Sequence, residues 1–288
     1  MNKENKNTDQ NKSQTGGENS FFNKVELPFE KSKAEVWEMM AARMDEKPKN
    51  HTTRLVSTRF WIGLAATILV LTGVFSVIRF YTTTIHNPAG QHLTASLPDG
   101  SLVELNAQST LKYHPLWWRF SRKLVFEGEG FFKVPKGKAF KVISNMGRTI
   151  VLGTSFNIFS REEEYKVCCF TGKVQVVSNT KKEVVLLPGY HAEVGQKGNI
   201  KVFKNERAKE AVSWRDGMFS FTAAPLIRVI REIERQYAVS IELNTQADYD
   251  YTGFFSKNKP LEQVLDIICK TFGLTFEKKS DKHYLIKQ

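Results

Sequence analysis

FWIGLAATILVLTGVFSVI, Phe60 to Ile78, is a run of 19 residues without a charge in a chain of 288. At about 1.5 Å per residue, a helix of that length spans nearly all of the ~30 Å hydrocarbon core of a bilayer. Trp61 and Tyr81 stand near its two ends, where amphipathic rings suit the interface, and Arg79 can snorkel outward. The alternative is a core helix of a globular domain, but such helices rarely run this long with nothing more polar than a hydroxyl. The sequence therefore predicts a transmembrane helix over 60–80. Arg43, Lys47, Lys49, Arg54 and Arg59 precede it, whereas residues 81–111 carry no Lys or Arg. By the positive-inside rule the N-terminus lies in the cytoplasm and the residues after Tyr81 lie outside. In a bacterium with two membranes this makes a single-pass inner-membrane protein with a periplasmic C-terminal part.

The formal net charge of +12 first suggests nucleic acid or an anionic surface as partner. Divided at the anchor, the signal changes. Residues 1–59 hold 11 basic and 9 acidic groups, and the part after the anchor holds 30 against 21. The cluster before Phe60 sets topology and the outer excess is spread over many elements, so no direct nucleic-acid partner is expected.

The inner arm, 1–59, begins with a polar tail of low complexity that cannot be a signal peptide. An amphipathic helix is predicted over about 30–47, with Val36, Trp37, Met40 and Met44 on one face and Pro48 closing the segment. An isolated helix of that length is marginal in water, so its stripe needs cover. Either Phe21, Phe22 and Phe29 fold back over it, or it enters the groove of a cytoplasmic partner.

A periplasmic linker over 81–90 is expected, followed by an all-β domain over 91–213. HLTASLPDGSLVELN holds two alternating runs joined at Asp99-Gly100, a strong hairpin signal. Further short runs recur at roughly ten-residue spacing, as in a sandwich or a solenoid. Over 214–288 the pattern becomes strand, helix, strand, twice. Pro225, Leu226, Val229, Tyr237 and Glu242 match Pro260, Leu261, Val264, Phe272 and Glu277 at a constant offset of 35 residues. The fold class is a membrane-anchored multidomain protein with an all-β domain, sandwich- or solenoid-like, followed by an α+β domain of two βαβ repeats.

Catalytic patterns are missing from the sequence. The six His residues are scattered, the three Cys lack metal-ligand spacing, and no P-loop, dinucleotide or Gly-x-Ser-x-Gly motif occurs. No cofactor or metal is expected. Gly128-Glu-Gly130 reads as a turn or bulge, and Glu162–Glu164 as a solvated acidic loop. Trp117 and Trp118 either form a ligand-stacking surface or divide between core and rim. At Gly153-Thr154 a Thr hydroxyl can attack the preceding carbonyl if the bond is strained and dry. The plainer reading is a bulge glycine before a strand threonine.

LPDGSLVELNAQSTLKY (Leu97–Tyr113), FEGEGFFKV (Phe126–Val134), VLGTSFNI (Val151–Ile158), TGKVQV (Thr171–Val176), LLPGYHAEV (Leu186–Val194) and WRDGMFSF (Trp214–Phe221) occur in this order. Together with the repeated segments that follow, they resemble the FecR-type transmembrane anti-sigma factors in their Bacteroides-like form. The resemblance covers about Gln91 to Gln288. It implies that the cytoplasmic arm holds an extracytoplasmic-function sigma factor, with Val36, Trp37, Met40 and Met44 as contacts. It also implies that the outer part senses the signalling domain of a TonB-dependent (SusC-like) outer-membrane transporter. The C-terminal domain resembles the secretin/TonB short domain, which would place the transporter contact within 217–288. Some family members split at the bond matching Gly153-Thr154; otherwise no enzyme activity is implied. This arm is shorter than the helical domain many relatives carry, which implies either a weaker sigma interaction or an arm that the sigma factor orders. A periplasmic scaffold and an envelope glycan-binding protein are the alternatives, and neither needs an inner helix with a Trp-Met stripe.

Overall fold

The computed structural model describes residues 31–45, 57–204, 209–245 and 248–288. The polar tail, the three N-terminal phenylalanines, both expected ends of the arm helix, and Lys47, Lys49 and Arg54 lie outside them. The chain divides into two units, 1–64 and 65–288.

In the first unit, helix α1 spans Lys33–Asp45. Ser32 and Glu35 start it with a reciprocal capping box. The Glu35 amide donates to Ser32 Oγ at 3.3 Å, and the Ser32 amide donates to Glu35 Oε2 at 2.9 Å. None of its residues is buried. Helix α2 spans Thr58–Phe80 with no buried residue, long and apolar enough to cross a membrane.

The β-domain contains β1 (Thr83–Asn87), β2 (Leu93–Ser96), β3 (Leu102–Leu105), β4 (Ser109–Tyr113), β5 (Arg122–Val134), β6 (Phe140–Ser144), β7 (Gly147–Val151), β8 (Thr154–Arg161), β9 (Glu164–Thr171), β10 (Val174–Ser178), β11 (Glu183–Leu186), β12 (Tyr190–Val194) and β13 (Ile200–Lys204). All thirteen belong to one sheet. The segment expected to be a linker over 81–90 therefore contains β1, which pairs with β4 from Thr83↔Tyr113 to Asn87↔Ser109. Its weak hydrophobic pattern, TTIHN, hid the strand. Tertiary pairing supplies what local propensity lacks. The Asp99-Gly100 hairpin forms as expected, joining β2 to β3 with Gly100 at φ 80°.

Strand β5 shapes the domain. Its first part pairs with β4 and, in parallel, with β6; its second pairs with β3 and β8. A straight strand of 13 residues would be about 43 Å long. The connection to β6, residues 135–139, reaches at most ~22 Å from Val134 to Phe140, yet β6 begins beside Arg122. Strand β5 must therefore curl until its end returns toward its start. Gly128 enables the bend: it adopts φ 117°, and a Cβ there would stand 2.6 Å from Ser109 Cα. The sheet folds about β5 into a near-barrel, which resolves the open choice against a stacked solenoid. Leu124, Phe126, Phe132 and Val134 face inward from β5 into one core with Leu111, Phe140, Phe156, Tyr165 and Val176. Phe132 stacks on Phe156 with ring centres 5.0 Å apart.

After a 3-10 turn over Glu210–Asp216 come β14 (Met218–Pro225), α3 (Leu226–Tyr237), β15 (Ser240–Asn244), β16 (Asp250–Ser256), α4 (Leu261–Thr271), β17 (Thr275–Ser280) and β18 (His283–Lys287). Both helices begin directly after the repeated prolines, and their inner faces close a second core with Ile241, Tyr284 and Ile286. The strand-helix-strand order of each repeat holds, but the strands of one repeat do not share a sheet. Strand β14 pairs antiparallel with β16, whereas β15 and β17 flank β18, giving the order β15-β18-β17. The two copies interlock, because neither can cover its own apolar helix face alone.

Candidate functional site

On α1, Val36, Trp37, Met40 and Met44 fall within about one quarter to one third of a turn at 3.6 residues per turn. Trp37 is 64% exposed and Met44 84%, Met40 is also exposed, and Val36 is partly covered. This apolar surface is unusual for so short a helix.

Sequence reasoning missed the polar seam where the β-domain meets the α+β domain. Asn106, fully buried, donates through Nδ2 to Glu129 Oε2 at 2.8 Å and accepts through Oδ1 from Gln236 Nε2 of α3 at 2.7 Å. Gln236 Nε2 also donates to Glu232 Oε1 at 2.7 Å, and Gln236 Oε1 lies 3.2 Å from His92 Nε2. Glu232 Oε2 accepts from Arg235 Nε and Nη2, and Arg235 Nη1 reaches Glu162 Oε1 at 3.1 Å. Asn157 Nδ2 binds both Glu129 Oε1 and the Ala211 carbonyl, at 3.1 and 3.2 Å. An unbroken side-chain chain thus runs from β5 to the exposed tip of the β8–β9 hairpin. Outside it, Arg215 pairs with Glu104 and lies 4.2 Å above the Phe131 ring, and Lys257 donates to the Gly90 carbonyl at 2.6 Å.

The electrostatics of the seam follow from burial. The Glu129 carboxyl is pushed up to about 7, first by loss of water and then by the charge of Glu232. The Arg161 charge and the hydrogen bonds from Asn106 and Asn157 oppose that rise without cancelling it. For Glu162, partial burial opposes ionisation, but the Arg231 hydrogen bond and the Arg235 and Arg231 charges outweigh it, holding the carboxyl below its usual range. A cleft of about 370 Å³ opens beside the seam, where Asn157 Oδ1 and Trp214 Nε1 are buried without a hydrogen-bond partner.

The acidic run Glu162–Glu164 is not simply solvated. Glu162 pairs with Arg231 and Arg235, and Glu164 lies 3.4 Å from Arg228, all three arginines on α3. Glu162 and Glu163 form a two-residue turn with φ of 48° and 64°, conformations usually left to Asn-Gly. The available sequence signal was Arg228, Arg231 and Arg235 at helical spacing opposite an acidic turn.

Trp117 and Trp118 do not form a shared stacking surface. Trp118 is 2% exposed, edge-on to Tyr113 and Phe140 in the core, while Trp117 packs outward on Phe120. Gly128-Glu-Gly130 lies inside β5. Cys168 and Cys169 are both buried, and burial pushes the Cys169 thiol up to about 11. Gly153 and Thr154 stand at the start of β8; Thr154 is buried and its hydroxyl donates to the Lys173 carbonyl at 3.1 Å. Among the described residues, no group of three His, Cys, Asp or Glu side chains is placed to hold a metal ion.

The family model described as FecR protein matches residues 83–175, and that described as FecR, C-terminal matches 218–286. The first begins at β1 and the second covers the interlocked repeats. A 2.50 Å crystal structure of a candidate anti-sigma factor from Parabacteroides distasonis ATCC 8503 is similar with a TM-score of 0.66 and 30% identity, over 72% of this chain and 99% of its own. A 1.65 Å structure under the same description gives a TM-score of 0.65 at the same identity and coverage. No curated protein matches the chain. The fold over most of the chain is thus shared with these structures, and the chain belongs to the FecR-type anti-sigma factors.

Proposed function

We propose that this anti-sigma factor is a single-pass inner-membrane protein whose α1 binds an extracytoplasmic-function sigma factor. Its outer domains receive the signal from a TonB-dependent, SusC-like outer-membrane transporter. The observation that carries the cytoplasmic half is the open face of α1: an exposed Trp-Met surface on a capped helix, in a family whose members act on sigma factors. Val36, Trp37, Met40 and Met44 are the contacts this reading assigns. Helix α2, with Arg59 and Arg79 near its ends, supports the spanning segment, and the basic flank before it supports a cytoplasmic N-terminus.

In the outer part, the interlocked repeats over 218–286 are the proposed contact for the transporter's signalling domain, and the polar seam is the route to the β-domain. A seam built from hydrogen-bonded charges is easier to shift between two arrangements than a packed apolar core. The protein regulates transcription of transport genes by holding its sigma factor, with no reaction of its own. Burial of Trp118 removes the support for a glycan-stacking alternative.

The test is co-purification of the full-length protein with candidate sigma factors. Retention by the wild type and loss with Trp37→Ala plus Met40→Ala supports the mapped face. Equal retention by both overturns the residue assignment, and failure of the wild type with every sigma factor of its genome overturns the reading.

A further inference from the structure

The loop between β4 and β5, residues 114–121 with sequence HPLWWRFS, carries an apolar surface that neither core uses. Leu116 is 50% exposed and Phe120 68%, whereas Trp118 of the same loop is buried as the plug that fixes it to the core. Two independent features put this loop beside the end of α2. The first is register: only two residues separate the end of α2 from β1, and Thr83 pairs with Tyr113. Strand β1 runs away from the helix end and antiparallel β4 runs back toward it, so the loop that follows β4 must emerge at the level of that end. The second is contact. The Trp117 ring meets Phe75 edge-on at 5.9 Å, Arg79 lies 5.3 Å over the same ring, and His114 Nδ1 is 3.2 Å from the Tyr81 carbonyl. Phe75 is about 7.5 Å along the axis before Phe80, so Trp117 reaches below the end of the apolar helix rather than resting above it.

We propose that the β4–β5 loop inserts into the leaflet at the outer end of α2. Leu116, Trp117 and Phe120 would sit at the boundary of headgroups and hydrocarbon, fixing the β-domain on the membrane. The inference rests on the reading that α2 spans a bilayer. The partner is the lipid surface itself. An aromatic ring beside a snorkelling arginine is the arrangement favoured at that depth. Lys112, Arg119 and Lys123, all exposed and flanking the apolar tip, are placed to meet lipid phosphates. With two residues between α2 and β1, the β-domain cannot swing clear of the surface. A signal arriving at the outer domains would then meet a seated platform and not a tethered one.

The test uses full-length protein reconstituted in phosphatidylcholine vesicles, with an environment-sensitive fluorophore on one introduced cysteine at a time. The three native cysteines are buried. The sites are Phe120→Cys in the loop, Leu71→Cys within α2 and Ile267→Cys on the exposed side of α4. The probe at 120 is expected to be blue-shifted relative to that at 267 and quenched most by lipids spin-labelled near the headgroup. The probe at 71 is expected to be quenched most by lipids labelled deep in the chain. If 71 is quenched but 120 behaves like 267, the loop proposal is overturned while the span stands. If 71 is not quenched either, the spanning reading fails and the proposal fails with it.

Discussion

Gln236 Nε2 on α3 donates to Asn106 Oδ1 at 2.7 Å, joining two side chains 130 residues apart. It is the central bond of the seam between the β-domain and the α+β domain, and both residues are almost fully buried. Replacing Gln236 with Ala leaves Glu232 Oε1 without its partner, removes the His92 contact, and takes one of two bonds from Asn106 Oδ1, which keeps the Ala107 amide. Each lost partner costs about 1–3 kcal/mol in the buried limit. Partial rearrangement should leave a net loss of about 2–3 kcal/mol, read as a lower midpoint in urea. A change below about 0.5 kcal/mol would mean that the seam is not coupled to folding.

The seam should also respond to pH, with two carboxyls pulling in opposite directions. Glu129 is raised from 4.5 to about 7 in the folded chain, so the folded state binds more protons than the unfolded one between those values. Its contribution is fully present below pH ~4.5 and is lost as pH rises through about 7. Glu162 is lowered, so its contribution is present above its unfolded value and lost as pH falls. His92, held below its usual value by burial, loses its contribution as pH falls through the same range, so the Glu129 effect is read as the difference between wild type and variant. Glu129→Gln should flatten the fall between about pH 4.5 and 7 in thermal unfolding. An unchanged slope in that variant would remove Glu129 as its source.

Ala238 and Gly273 occupy matching positions of the two repeats, 35 residues apart, and both are left-handed, with φ of 55° and 67°. The second copy uses glycine there; the first holds an alanine in a conformation that costs a side-chain-bearing residue roughly 1 kcal/mol. Ala238→Gly should stabilise the chain by a few tenths to about 1 kcal/mol, less the added entropy of the unfolded state. A calorimetric midpoint that falls instead would show that the Ala238 methyl, which faces Gly90, contributes more than the strain removes.

The Thr154 hydroxyl is engaged with the Lys173 carbonyl at 3.1 Å. No described carboxylate or imidazole hydrogen-bonds to it to act as base. On a denaturing gel the freshly made protein should run as one full-length band. Two fragments that disappear in Thr154→Ala would assign self-cleavage to the Gly153-Thr154 bond.

Legibility in the sequence followed the range of the interactions. The apolar run over 60–78, the hairpin at Asp99-Gly100 and the repeat anchored on Pro225 and Pro260 are local signals, and each element stands where its signal lies. The TTIHN strand and the burial of Trp118 but not Trp117 were illegible. Each depends on a partner brought from elsewhere in the chain. Glu162 could have been paired with the α3 arginines by charge alone, but only if the turn and the helix were known to face each other. Glu129 gave no signal at all. Between two glycines in a strand its side chain reads as an outward charge, until a second domain covers that face.

The sequence by itself thus determined the long apolar helix, the strand-helix-strand alternation over 214–288 and the internal duplication, because hydrophobic period and turn chemistry act over a few residues. Only the tertiary structure decided that the repeats exchange strands between sheets and that β5 curls to close a near-barrel. It alone also assembled the seam of Asn106, Glu129, Glu232 and Gln236. Those outcomes depend on the burial of faces that no single element can cover, and burial is a property of the assembled chain.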